Sequence, residues 1–161
     1  MLSRRTVLLS AAAASAAAAL SSRSTPGLAQ APAAKPAVEQ SRIQGVGAGG
    51  YDLVAYLTQN AAVPGSPAIA LEHQGVTWRF ATEQNRDAFK ADPAKYLPQY
   101  GGYCAWAVAS GYTAPSDPEA FSVVDGKLYL NYSKAVRFLW ARDPKGNIEK
   151  GNANWPVVLT K

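Results

Sequence analysis

Cysteine is almost missing from this sequence: Cys104 is the only one in 161 residues, and His73 is the only histidine. A single cysteine forms no internal disulfide, so stability has to come from a buried core. One histidine, with no serine set in a nucleophile turn, excludes a histidine-based hydrolytic triad. A phosphate-binding loop, a dinucleotide fingerprint and a heme-attachment pair are absent as well. Once Met1 is removed, Cys104 and His73 are the only soft side-chain donors. A tetrahedral zinc site is then out of reach without carboxylates or a second subunit, whereas a two-coordinate Cu(I) site stays open.

Aromatic residues are absent from positions 1–50, and all 16 lie in the 111 residues that follow. That contrast places the start of the folded domain near Tyr51. Within the aromatic-free part, Ser3-Arg4-Arg5-Thr6 precedes a mild apolar stretch from Val7 to Leu20, the pattern of a twin-arginine export signal. The apolar stretch is 14 residues with serines inside. A membrane span takes roughly 20. Gly27 and Ala29 suit the recognition positions for cleavage, which puts the signal at residues 1–29 and the mature start near Gln30. The expected location is the periplasm or outside the cell, with no membrane attachment after cleavage. This route carries proteins that fold before export, a hint of something bound. Cleavage removes Arg4, Arg5 and Arg23 and no acid, leaving 13 bases against 11 acids. So small an excess offers no footprint for nucleic acid or for a membrane surface. Residues 30–50, with Pro32, Pro36 and Gly45-Val46-Gly47-Ala48-Gly49-Gly50, read as a flexible linker.

From Tyr51 to Lys161 the pattern predicts one α+β domain and shows no internal repeat. Tyr51 to Leu57 is β-prone and reads as a first strand. Ala68–His73 and Val76–Ala81 form a hairpin about Gln74-Gly75, with His73 opposite Val76, Leu71 opposite Trp78 and Ile69 opposite Phe80. Thr82 caps a helix from Glu83 to Lys90, and Asp92-Pro93 starts a short second one. Ala105 to Ser110 is ambiguous between strand and helix. A second hairpin turns at Asp125-Gly126 and pairs Val123 with Leu128 and Phe121 with Leu130. Ser133 caps a helix to Arg142, ended by Asp143-Pro144-Lys145-Gly146, and Asn147 caps a last one that Trp155-Pro156 stops. The expected architecture is one small antiparallel sheet, made of both hairpins and the N-terminal strand and backed by three or four short helices.

The stretch that gathers the chemistry is Gln99-Tyr100-Gly101-Gly102-Tyr103-Cys104-Ala105-Trp106-Ala107. A reactive thiol needs a cation, a helix N-terminus or backbone N–H groups to hold thiolate charge. Gly101 and Gly102 are candidates for the N–H groups, and Arg79 or Arg86 for the cation. Tyr103 and Trp106 flank the thiol; Asp52 with Tyr51, Tyr100, Tyr103 and Tyr112 lines a pocket around it, or else the tyrosines belong to the core and Asp52 bonds a turn or a backbone N–H. Trp106, Trp140 and Trp155 are assigned to packing. The opposing reading is an inert, buried cysteine. For His73 the alternatives are a half-buried strand-end residue and a metal ligand or base.

Leu71-Glu72-His73-Gln74-Gly75-Val76-Thr77-Trp78-Arg79-Phe80 followed by Asp92-Pro93-Ala94-Lys95-Tyr96 resembles the YHS domain, a small module of copper-transport proteins and some multicomponent oxygenases. Adding Gly50 to Tyr56, Gly101 to Ala107, Asp125 to Ser133 and Gly146 to Pro156, the chain from about Gly50 onward is similar to exported YHS domain-containing (seleno)proteins. The resemblance implies metal binding for YHS modules in general. It places their cysteines just after an Asp-Pro-Val within the first strand and after the Phe that ends the hairpin, where this chain has Asp52-Leu53-Val54-Ala55 and Phe80-Ala81-Thr82. It also implies thiol or selenol reactivity at Cys104, the position at which some relatives carry selenocysteine. The functional expectation is therefore thiol-based redox chemistry at Cys104, with a small-molecule oxidant and an external thiol as partners. The alternatives are a soft, copper-type metal ion held by Cys104 and His73, and an interaction domain with a structural cysteine.

Overall fold

The structure, a computed structural model, describes residues 33–161. The export signal and its cleavage position lie outside the described residues. The fold is α+β. Its elements are α1 (Leu53–Gln59), β1 (Ser66–His73), β2 (Val76–Phe80), α2 (Glu83–Ala91), α3 (Pro93–Tyr96), α4 (Ala105–Ala109), β3 (Asp117–Val124), β4 (Lys127–Asn131), α5 (Lys134–Trp140) and α6 (Pro144–Asn154). Short 3-10 turns at Gly47–Gly50 and Gln99–Gly102 lead into α1 and α4.

The hairpin turns set the register as expected, with Leu71 opposite Trp78, His73 opposite Val76, Phe121 opposite Leu130 and Val123 opposite Leu128. The pairing of Ile69 with Phe80 is overturned. An irregularity between Ser66 and Ala70 brings Ser66 opposite Phe80, and a matching one between Asp117 and Phe121 brings Asp117 opposite Asn131. The hairpins also form two separate two-stranded sheets rather than one.

Tyr51–Leu57 is not a strand. The Asp52 side chain accepts from the N–H groups of Val54 and Ala55 and starts α1 there, and Leu53, Val54, Ala55 and Tyr56 are buried on all sides. A short, wholly buried apolar run carries no periodicity to separate helix from strand, so the cap decides. Ala105–Ala109 resolves to helix. Asp143, expected only to end a helix, also begins α6 by accepting from Gly146 N, with Pro144 in the first turn and Asn147 inside the helix.

Residues 33–50, expected as a flexible linker, lie along the domain as a strap. Lys35 N donates to Leu159 O at 2.8 Å, Glu39 N to Gly101 O at 2.9 Å and Thr77 N to Gly45 O at 2.8 Å. Val38 and Val46 are buried, and Gly47 lies so close to the Trp78 ring that a methyl group would collide with it. The stretch carries few large apolar side chains of its own. It docks on a surface that the hairpin and the glycine turn provide.

An internal repeat runs through the domain. Ala48 (φ 48°, ψ 32°) and Gly49 (58°, 19°) are matched by Tyr100 (56°, 36°) and Gly101 (59°, 16°), each pair leading through Gly-Tyr into a short helix. Both hairpins turn through two residues with positive φ, Gln74-Gly75 and Asp125-Gly126. Thr82 and Ser133 then cap α2 and α5. Asp92 (φ −148°, ψ 78°) and Asp143 (φ −146°, ψ 72°) cap the helices that follow, each with proline next. The repeat places Cys104 at the position of Asp52, Tyr129 at that of Trp78, Asn131 at that of Phe80 and Trp140 at that of Phe89.

Each half has its own core. Trp78, Phe80 and Phe89 anchor the first, and Tyr129 and Trp140, with ring centroids 5.2 Å apart, anchor the second. The two cores share β4: Leu128 and Leu130 enter the first and Tyr129 the second. Trp78 is 1 % exposed. Trp78→Ala is expected to lower stability by about 3–5 kcal/mol in a urea titration, as deleting a core aromatic does.

Candidate functional site

Asp52 is the best-connected polar side chain of the first half. It is fully buried; Oδ1 accepts from Val54 N (2.9 Å) and Ala55 N (3.2 Å), and Oδ2 accepts from Ala81 N (2.8 Å) and Asn85 Nδ2 (2.7 Å). Four N–H donors thus offset the desolvation of the carboxylate and join α1, the end of β2 and α2. Asp52 does not line a pocket around the thiol.

Cys104 stands at the corresponding point of the second half, one residue before α4. It is 1 % exposed, its N–H donates to Ala114 O at 3.0 Å, and Sγ donates to Asn131 Oδ1 at 3.9 Å. A thiol cannot cap the helix as a carboxylate does. Asn131 takes over, its Oδ1 accepting from Trp106 N at 3.3 Å, the counterpart of the bond from Val54 N to Asp52. The Asn131 carboxamide is itself fully buried, and its Nδ2 has no hydrogen-bond partner among the described residues; Trp140 Nε1 is in the same state. A native core leaves few such donors, and each is worth an explanation. Asn131 was missed in the sequence, where it is a polar residue at the end of a strand with no motif around it. Alignment of the two halves is the signal that finds it.

The other expected site residues separate. Gly101 has φ +59°, and an added Cβ would run into the Ala37 carbonyl, so its glycine character serves the strap. Gly102 (φ +82°) packs on Pro98. The Tyr103 hydroxyl donates to Pro36 O at 2.9 Å, again holding the strap. Trp106 packs against the second core. Arg79 lies over Gly50, and Arg86 pairs with Glu83 and Asp87, so neither is assigned to the thiol. Tyr112 is exposed, whereas Tyr100 is buried and donates to Ile148 O (3.1 Å) and Asn152 Oδ1 (3.0 Å).

His73 packs edge-on against Phe89 of the first core, while the polar neighbour of the Cys104 sulfur is Asn131. The two soft donors expected for a copper-type ion thus have different neighbours, Phe89 for His73 and Asn131 for Cys104. Among the described residues no three His, Cys, Asp or Glu side chains converge. A surface cavity of about 250 Å³ opens between Val38, Trp78, Pro98, Gly101 and Trp155, and neither Cys104 nor His73 lines it.

Burial, then the neighbouring Tyr129, pushes the Tyr100 hydroxyl up to about 12, and burial also raises Tyr56, Tyr103 and Tyr129. These groups keep their protons longer in the folded state than in the unfolded one, whose tyrosines titrate near 10. Their contribution is complete below pH about 10 and is lost as the pH rises through the folded value. The urea midpoint is expected to hold up to about pH 10 and fall from there to pH 12, with a shallower fall in Tyr100→Phe. Gly101→Ala is expected to detach the strap, seen as faster proteolysis near residues 36–40 while the near-ultraviolet signal of the Tyr129–Trp140 core persists. No family profile, no curated protein and no solved structure matches the chain.

Proposed function

We propose that the protein is an exported, YHS-like redox module whose working group is the Cys104 thiol. The observation that carries this reading is the place of the sulfur. By the repeat, Cys104 occupies the position at which the first half holds Asp52, a buried carboxylate that accepts from the backbone N–H groups of Ala55 and Ala81, and the carboxamide whose Oδ1 lies 3.9 Å from its sulfur has an Nδ2 without a partner among the described residues. Arg4-Arg5 and the motifs from Gly50 onward support the export and family parts of the proposal.

The chemistry needs one thiol and a small peroxide. Sulfur bonds to one peroxide oxygen as the O–O bond breaks; it is oxidised by two electrons to the sulfenic acid, and the other oxygen leaves as water with the thiol proton. An external thiol then forms a mixed disulfide, releasing that oxygen as water, and a second external thiol displaces Cys104 in its starting form. Cys104 is the only cysteine, so both reducing thiols come from outside. At 1 % exposure the sulfur meets peroxide through local opening of the structure, which suits a slow sensor of oxidant rather than a turnover catalyst.

The test is peroxide treatment of the folded mature protein with dimedone trapping and peptide mass mapping. Addition of oxygen or dimedone to the Cys104 peptide is expected, reversed by thiol before trapping and absent in Cys104→Ser. If peroxide and iodoacetamide both reach Cys104 only after unfolding, the cysteine is structural and the proposal fails.

A further inference from the structure

We infer that oxidation of Cys104 to the sulfinate makes it the second half's counterpart of Asp52, an acidic group seated in a ready cradle of N–H donors, so that peroxide tightens this half of the fold. The modification rests on the redox reading above; the cradle does not.

Three observations lead here. First, the frame around Asp52 is repeated around Cys104. The backbone of the preceding turn has the same φ and ψ in both halves, and the strands that follow share the same irregularity, which puts Phe80 opposite Ser66 and Asn131 opposite Asp117. The donors Ala55 N and Ala81 N therefore have counterparts in Ala107 N and Tyr132 N. Second, the donor set differs in a compensated way. Val136 replaces Asn85 and offers no side-chain donor, whereas Asn131 replaces Phe80 and brings one. Asn131 Oδ1 already serves Trp106 N, and its fully buried Nδ2 is without a partner among the described residues. This unpartnered amide, on the carboxamide whose oxygen lies 3.9 Å from Sγ, is the independent sign of an acceptor that the reduced side chain lacks. Third, the chemical match is close. A cysteine sulfinate carries one negative charge and two oxygens on the atom after Cβ, as an aspartate does, so it presents acceptors at the same reach.

The second oxidation balances like the first. A second peroxide delivers one oxygen to the sulfenic acid and is itself reduced to water, and the sulfinic acid formed then ionises. Ordinary thiols reverse the sulfenic stage and not the sulfinic one. The seated sulfinate is thus a lasting record of exposure to oxidant, and water excluded from the site strengthens its hydrogen bonds.

Thermal unfolding of three mature proteins, wild type, Cys104→Ser and Cys104→Asp, tests the cradle without any oxidation. Cys104→Asp is expected to unfold at least about 3 °C above Cys104→Ser, a shift well within what one capping interaction gives in a domain of this size. A midpoint below that of Cys104→Ser, or an aspartate variant that does not fold where the serine variant does, overturns the inference. Wild-type protein carrying two added oxygens on the Cys104 peptide supplies the second arm: its midpoint should rise over the reduced form, and a fall overturns the inference even when oxidation itself succeeds. A stable Cys104→Asp in a protein that peroxide does not modify leaves the cradle standing and removes the redox function.

Discussion

The constraint on which the rest of the structure depends is that β4 is buried on both of its faces. Leu128 and Leu130 close the first core while Tyr129 closes the second, so the strand has no solvent side on which to place a polar residue cheaply. Its last residue is nevertheless Asn131, fully buried. A polar side chain in that position has to be satisfied, and the carboxamide oxygen is satisfied by Trp106 N across the start of α4. The shared strand thereby fixes the position of α4 and, one residue before it, of the cysteine.

Comparison of the halves explains why the thiol is where it is. Both use the same solution for bringing a short helix off a glycine turn, and both need an acceptor at the first free N–H groups. In the first half one carboxylate does this alone and ties in the loop before α2 as well. In the second, the task is divided between a cysteine that fills the space and an asparagine, supplied from a strand remote in sequence, that accepts the bond. The division leaves one donor spare. The glycines of the central motif serve a different purpose, opening the surface on which residues 36–39 lie.

Much of the local structure was legible because its causes are local. Gln74-Gly75 and Asp125-Gly126 set the pairing next to each turn. Thr82, Asp92 and Ser133 each accept a hydrogen bond at the start of the expected helix. What failed had distant causes. The helix at Leu53 was misread because its residues are buried on every side, which erases periodicity. The strap was misread because the surfaces that order it, Gly101 and Trp78, are far along the chain. The repeat escaped notice because it is conserved in backbone conformation and capping rather than in side chains, with Asp52 answered by Cys104 and Phe80 by Asn131.

By itself, then, the sequence determined the α+β class, the two hairpin turns, the caps at Thr82, Asp92 and Ser133 and the identity of Cys104 as the one thiol. These follow from the φ preference of glycine, from side-chain oxygens beside free N–H groups, and from composition. The tertiary structure alone decided that the hairpins stay in two sheets, that His73 packs edge-on against Phe89, and that the hydrogen-bond partner of the Cys104 thiol is Asn131. Those outcomes depend on which surfaces meet when two cores close on one strand, and no local preference encodes that meeting.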